Sequence, residues 1–360
     1  MADIVKINNI AVANFSKVNG IAKASLSKVL GQTMPSAYAS ANSVFFDNTN
    51  DYGIINGCTL PTDEGSVSFW LKLGQTEGTD LIFFWGDDLS GSGSTSSGFI
   101  DVRLQNNSGN PAARNIVFTY SDGSSGGRGC SIKSSSSHHG TGFSRWKGNY
   151  DDVYSYWPDF EYNANKLIEA GTHPYSPSEG GEHGWHHFAI TWDVNEVYTG
   201  KDAQSSHKFR PTASNDGTTT NHTGTMRIYM DGALRNFGQS LYPSHNYQRT
   251  PTGMDEISSN SLSEIGVMAR SNSTFHTAGN MDDLACFNAK LSDAAVTAMY
   301  NSGAPTDLTS NSGDYTSSSN LIGYWKFDEG SGTTIADSST NSNNMTLVNG
   351  AAWDNGDAPS

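Results

Sequence analysis

SVSFWLKL, residues 66–73, alternates: Val67, Phe69, Leu71 and Leu73 fall on one side, Ser66, Ser68, Trp70 and Lys72 on the other. A period of two marks a β-strand, because successive side chains leave an extended backbone on opposite faces. The pattern repeats outward in both directions. SVFFD (43–47) runs into the turn NTNDYG, and DLIFFWGD (80–87), GFIDVRLQ (98–105) and NIVFTY (115–120) read as further strands. HHFAITWD (186–193) sets Phe188, Ile190 and Trp192 on one face; TMRIYMDG (225–232) ends in an Asp-Gly turn; SEIGVMA (263–269) and NMDDLACFN (280–288) follow. One short helix is predicted near 292–302, with Ser292 as N-cap and Gly303 as the C-cap glycine. About ten to fourteen strands and one helix predict an all-β, antiparallel two-sheet jelly-roll sandwich.

Composition narrows the function. Of 360 residues, 35% are apolar and 16% charged, which excludes a helical bundle or coiled coil. No apolar run approaches the ~20 residues of a membrane-spanning helix, so no membrane partner is expected. The net charge is −15, from 21 basic and 36 acidic side chains. Nucleic acid is therefore not an expected partner, since phosphate binding needs a basic face. Cys58, Cys130 and Cys286 form no CxxC pair and no disulfide framework. The start, MADIVKINN, lacks a basic stretch followed by an apolar run. Synthesis in a cytosol without classical export is expected, with another route to the outside left open.

Residues 1–37 differ from the rest. KINNIAVANFS (6–16), KVNGIAKASLS (17–27) and KVLGQTMPSA (28–37) align with a period of 11, which brings Lys6, Lys17 and Lys28 into register, and likewise Asn9, Gly20 and Gly31. Each unit reads as a short strand, a two-residue turn and a second short strand. Three such units cannot bury a core alone. They form either a flexible tail or a docking and oligomerisation arm; the regular repeat, with no acidic residue beyond Asp3, favours the arm. A sandwich over 38–303 follows, interrupted by polar insertions at 121–182 and 199–224, then a linker at 304–320 and a C-terminal segment at 321–360.

Five blocks occur in one order: FDNTNDYGII (46–55), SVSFWLKL, GWHHFAITWD (184–193), MRIYMDGAL (226–234) and GNMDDLACFNAKLSDAAVTAMYNSG (279–303). Together they resemble the LamG-type jelly roll of the concanavalin A-like lectin/glucanase superfamily, which implies two packed sheets of six or seven strands each. The stretch LIGYWKFDEGSGTTIADSSTNSNNMTLVNGAAWDNG (321–356) resembles the block that usually opens such a domain, yet here it comes last. It either starts a second, truncated sandwich or folds back as edge strands of the first; roughly 40 residues are too few for a sandwich, which favours fold-back. The Lys–Asn–Gly repeats leading into such a domain, with this ending, resemble virion proteins of tailed bacteriophages, marine ones in particular. That resemblance implies a non-enzymatic virion structural protein, a capsid decoration, head fibre or tail component, made in the host cytoplasm and localised to the virion. Its partners would be other virion proteins held through the arm, sister chains in a homo-oligomer such as a trimer, and host polysaccharide. The alternatives are a stand-alone carbohydrate-binding lectin and a polysaccharide-degrading enzyme.

Candidate sites follow from the residue types. A retaining glycosidase needs two carboxylates ~5–5.5 Å apart. No Glu-x-Asp-x-Glu run supplies them, and Asp255-Glu256 and Asp282-Asp283 are adjacent pairs that point to opposite faces on regular strands. No catalytic residue is assigned. Gly123–Gly127 matches GxSxG but lies in a Gly/Ser run with no helix after it. His138-His139 and His186-His187 lack zinc-ligand spacing. No cofactor is required. The LamG-like resemblance implies calcium at a loop rim, with Asp282, Asp283, Asp47 and Asp51 as ligands; the alternative is that these carboxylates cap turns. Seven aromatics crowd 146–162, among them Trp146, Tyr150, Tyr154, Tyr156 and Trp157. They either pack the insertion against the sandwich or contact glycan or a neighbouring subunit.

Overall fold

The computed structural model describes residues 38–73, 80–86, 98–107, 110–121, 128–133, 185–201, 219–234, 237–239, 246–247, 264–269 and 275–359, and six two-residue strands between residues 6 and 33. Those six are three hairpins: β1 (Lys6–Ile7) with β2 (Ile10–Ala11), β3 (Lys17–Val18) with β4 (Ile21–Ala22), and β5 (Lys28–Val29) with β6 (Gln32–Thr33). They share one register, Lys6↔Ala11, Lys17↔Ala22 and Lys28↔Thr33, so the 11-residue period is a repeated backbone pairing as well as a repeated sequence.

The sandwich comprises β7 (Asn42–Asp47), β8 (Tyr52–Asn56), β9 (Glu64–Leu73), β10 (Asp80–Gly86), β11 (Phe99–Asn107), β12 (Asn110–Ser121), β13 (Arg128–Lys133), β14 (His186–Lys201), β15 (Thr219–Met230), β16 (Ala233–Leu234), β17 (Phe237–Gln239), β18 (Asn246–Tyr247), β19 (Glu264–Val267), β20 (Ala278–Phe287), helix α1 (Asp293–Tyr300), β21 (Leu321–Trp325), β22 (Thr334–Ile335), β23 (Met345–Val348) and β24 (Ala352–Asn355). One sheet has ten strands in the order β18-β17-β13-β12-β11-β10-β19-β8-β23-β22. The other has eight, β16-β15-β14-β9-β20-β7-β24, with β21 also on β20. All these ladders are antiparallel, and the strand count per sheet exceeds the expected six or seven. The C-terminal segment supplies strands to both sheets: β23 pairs β8, β24 pairs β7, and β21 pairs the second half of β20.

Two apolar layers hold the sheets. Val67, Phe69 and Leu71 face inward with Phe188, Ile190, Trp192, Trp85 and Trp325, all fully buried. On the outer face of the eight-stranded sheet, Ala295, Val296 and Met299 of α1 and Leu308 and Tyr315 of the following loop cover Ala189, Tyr229, Ala285 and Phe287. Residues 304–320 thus pack as part of the body. This second layer also explains why β20 is buried along its whole length.

Three local expectations are corrected. Arg128–Lys133, inside the segment read as an insertion, is a strand paired with β12 and β17. Thr199–Lys201 and Thr219–Gly224, read as loop, extend the β14–β15 ladder as far as Lys201↔Thr219. The helix is capped by Asn301 in the left-handed conformation (φ 45°, ψ 42°), whose N–H reaches Thr297 O, and not by Gly303. Asparagine enters that region more readily than most residues that carry a side chain. Ser292 is the N-cap, accepting from Ala295 N at 3.1 Å.

Gly323 is needed for close packing. A Cβ there would overlap the indole of Trp325, which folds back over its own strand. Gly323→Ala is expected to destabilise the fold by about 1–3 kcal/mol, as overpacking does. The check is a lowered midpoint of thermal unfolding.

Candidate functional site

The site forms where β20 is interrupted. β9 pairs β20 regularly to Asp282↔Trp70 and resumes at Ala285↔Ser68, so two β20 residues stand against one of β9. This is a β-bulge. Asp283 takes φ 47°, a left-handed conformation that aspartate tolerates better than most residues. At the same point the far edge of β20 changes partner, from β7 to β21. The bulge overturns the expectation that Asp282 and Asp283 point to opposite faces: both reach the chain entering from the arm.

That chain is held by hydroxyl and amide donors. Tyr38 Oη donates to Asp283 Oδ1 at 2.9 Å, and Tyr324 Oη donates to the same oxygen. Ser40 Oγ donates to Asp282 Oδ2 at 2.6 Å, and Asp282 Oδ1 accepts from Asp283 N at 2.8 Å. Ala41 N donates to Asp328 Oδ1 at 3.0 Å. Lys326 Nζ lies 4.8 Å from the Tyr38 ring centroid and 5.4 Å from that of Tyr324, and pairs with Asp307 at 3.4 Å. Residues from both ends of the chain thus close on one bulge.

The electrostatics follow from burial. Desolvation, and next the charge of Asp283, push the Asp282 carboxyl well above the usual range. Desolvation raises Asp283 to about 7, with Asp328 adding to the rise and the Tyr324 and Tyr38 hydrogen bonds and Lys326 opposing it. Two adjacent buried carboxylates cannot both ionise freely. Tyr38 and Tyr324 are pushed above the ordinary phenol range by burial and then by Asp283, so they remain donors.

The four candidate calcium ligands do not converge. Asp47 pairs with Ala278, four residues before Asp282 on β20, which separates the two carboxylate pairs by about 13 Å along the strand. Asp47 Oδ1 caps its own turn by accepting from Thr49 N at 2.8 Å. Asp51 is buried, and its carboxyl is raised by desolvation and by Asp47. At the bulge, three of the four Asp282 and Asp283 oxygens already accept from hydroxyl or N–H groups, whereas calcium takes six to eight oxygen ligands. These residues do not fit that ion, and among the described residues no group of three or more His, Cys, Asp or Glu is placed to hold a metal.

The other sites fall as follows. Lys6, Lys17 and Lys28 each open the first strand of a hairpin. Trp146, Tyr150, Tyr154, Tyr156 and Trp157 lie outside the described residues, as do His138-His139, Asp255-Glu256 and Gly123–Gly127. His186 and His187 serve different partners: His186 Nδ1 meets Asp231 Oδ2 at 2.7 Å, and His187 Nε2 meets Ser68 Oγ at 2.8 Å. Tyr38, Ser40, Tyr324 and Asp328 were not picked out from the sequence. They stand more than 240 residues apart in part, and only the Asp-Asp pair within the C-terminal part of the sandwich hinted at their meeting place.

The fold and site define an antiparallel two-sheet sandwich whose arm-proximal end is clamped by a buried carboxyl pair. No family model matches the chain, and no curated protein does. Among solved structures, a provisional carbohydrate-binding protein from Bacteroides ovatus is 14% identical with a TM-score of 0.46, over 93% of this chain and 66% of that one. A heptameric SAP-like pentraxin from Limulus polyphemus is 11% identical, TM-score 0.34, over 72% and 82%. The ligand-binding domain of botulinum neurotoxin serotype D, solved with N-acetylneuraminic acid, is 14% identical, TM-score 0.34, over 74% and 45%. The sandwich assignment rests on the ladders themselves.

Proposed function

We propose that the chain is a non-enzymatic virion structural protein of a tailed phage, in which the N-terminal arm docks to the particle or to sister chains and the sandwich is displayed outward as a lectin-like module. One observation carries this reading: the three hairpins repeat the same register at an 11-residue spacing. Each has only two ladder pairs, and an isolated two-stranded hairpin is marginal at best in water. A repeated set of such hairpins suits a repeated partner surface, with Lys6, Lys17 and Lys28 recurring every 11 residues along the sequence. The clamp at Tyr38, Ser40 and Ala41 supports the reading from the other side, because it fixes where the arm leaves the sandwich.

In this reading the aromatic stretch around Trp146–Trp157 meets host-surface glycan or a neighbouring subunit. The net charge of −15 keeps densely displayed copies soluble by mutual repulsion. The test is a chain lacking residues 1–37, which is expected to fold as the full chain does and to fail to join particles. Release of reducing sugar from a polysaccharide by the purified full chain, abolished by changing one carboxylate, would overturn the non-enzymatic reading.

A further inference from the structure

A small cavity of about 10 Å³ lies on the outer face of the eight-stranded sheet, between Ser68 and Trp70 of β9, His187 of β14, the bulge at Asp283 and the loop at Thr306. Three buried polar atoms of its lining residues have no protein partner: Asp283 Oδ2, His187 Nδ1 and Thr306 Oγ1. Asp283 is 3% exposed and His187 1%. One such atom could reflect local strain. Three on residues that line one cavity are a different matter, since buried polar groups are almost always satisfied by protein or by ordered water.

The dimensions and the donor set select the ligand. The volume is the room of about one water molecule, and a buried water needs two to four polar partners. A metal is a poor fit: calcium takes six to eight oxygens, and zinc takes three or four strong ligands, which one carboxylate, one imidazole and one hydroxyl do not supply. An apolar guest would leave all three polar atoms unsatisfied.

We propose that this cavity is a binding site for a single ordered water that bridges Asp283 Oδ2, His187 Nδ1 and Thr306 Oγ1. The bridge completes a hydrogen-bonded path. Ser68 Oγ meets His187 Nε2 at 2.8 Å; the water joins His187 to Asp283; the other oxygen of Asp283 accepts from Tyr38 at 2.9 Å. The path therefore runs from the central strand β9 to the first described residue after the arm, and the water is a structural part of the arm's anchor. The inference stands independently of whether the arm docks to a particle.

A crystal structure of the full chain, at a resolution where waters are visible, tests it together with magnetic relaxation dispersion, which counts long-lived internal waters. The expected result is one density peak about 2.6–3.2 Å from all three atoms. Thr306→Val is expected to lose that peak and one long-lived water, while Thr306→Ser keeps both. An empty cavity in the unaltered chain would overturn the proposal. So would a peak at metal–ligand distances near 2.0–2.4 Å, or a water count unchanged in folded Thr306→Val.

Discussion

A chain ending at residue 320 is expected to show no cooperative unfolding transition. The missing segment carries Leu321, Tyr324, Trp325, Phe327, Ile335, Met345 and Leu347, each at most 8% exposed. Burial of one such side chain contributes about 1.5–3 kcal/mol. Seven together are on the order of 10 kcal/mol or more, as large as the entire net stability of a typical domain, about 5–15 kcal/mol. The loss is also topological. β7 loses β24, β8 loses β23 and half of β20 loses β21, which bares edges in both sheets. Scanning calorimetry and solubility are the checks. A transition resembling that of the full chain would contradict the placement of β21–β24.

The second large effect is electrostatic. Asp283 is raised by burial from an ordinary 3.8 to about 7 in the folded chain. Between those values the folded state holds a proton that the unfolded state has released, so this group's contribution is greatest at low pH and is lost as pH rises through about 7. Asp282 acts in the same direction. His187 opposes them: burial lowers it to about 4, only partly offset by Asp231, so it remains neutral in the fold while the unfolded chain would protonate it below about 6.5. The profile of the unaltered chain is therefore a difference of opposing slopes between pH 4 and 6.5. Asp283→Asn removes the Asp283 slope, together with the part of the Asp282 rise that the Asp283 charge causes. Its amide oxygen can still accept from Tyr38 and Tyr324, and its charge never changes. The stability difference, variant minus unaltered, is expected to be small near pH 4 and to grow by on the order of 2–4 kcal/mol by pH 8. Thermal midpoints across that range measure it; a difference independent of pH would contradict the assignment.

Periodicity made most of the sandwich legible. β9 alternates cleanly because one of its faces meets the inter-sheet core, and the side chains on its outer face remain small or amphipathic even where α1 and the following loop cover them. The three hairpins between residues 6 and 33 were legible because two residues separate the paired strands of each, so repeated sequence forces repeated register. What escaped were departures from regular geometry and long-range meetings. β13 was hidden by the Gly/Ser-rich run around Arg128–Lys133, whose alternation is too short to stand out. For the Asp282-Asp283 pair, adjacency predicts opposite faces only on a regular strand, and the bulge removes that condition. The partners of the pair, Tyr38 and Tyr324, carry no local signature, since only the finished ladders bring both ends of the chain to the middle of β20.

The proposed docking role requires that the three hairpins have a surface to pair with. The direct measurement is incorporation into particles assembled in the presence of either the full chain or residues 38–360, with the fold of both confirmed by their melting transitions. The full chain should be retained and the shortened one left in solution, with equal midpoints for the two sandwiches. Equal retention of both would show that the hairpins do not provide the attachment.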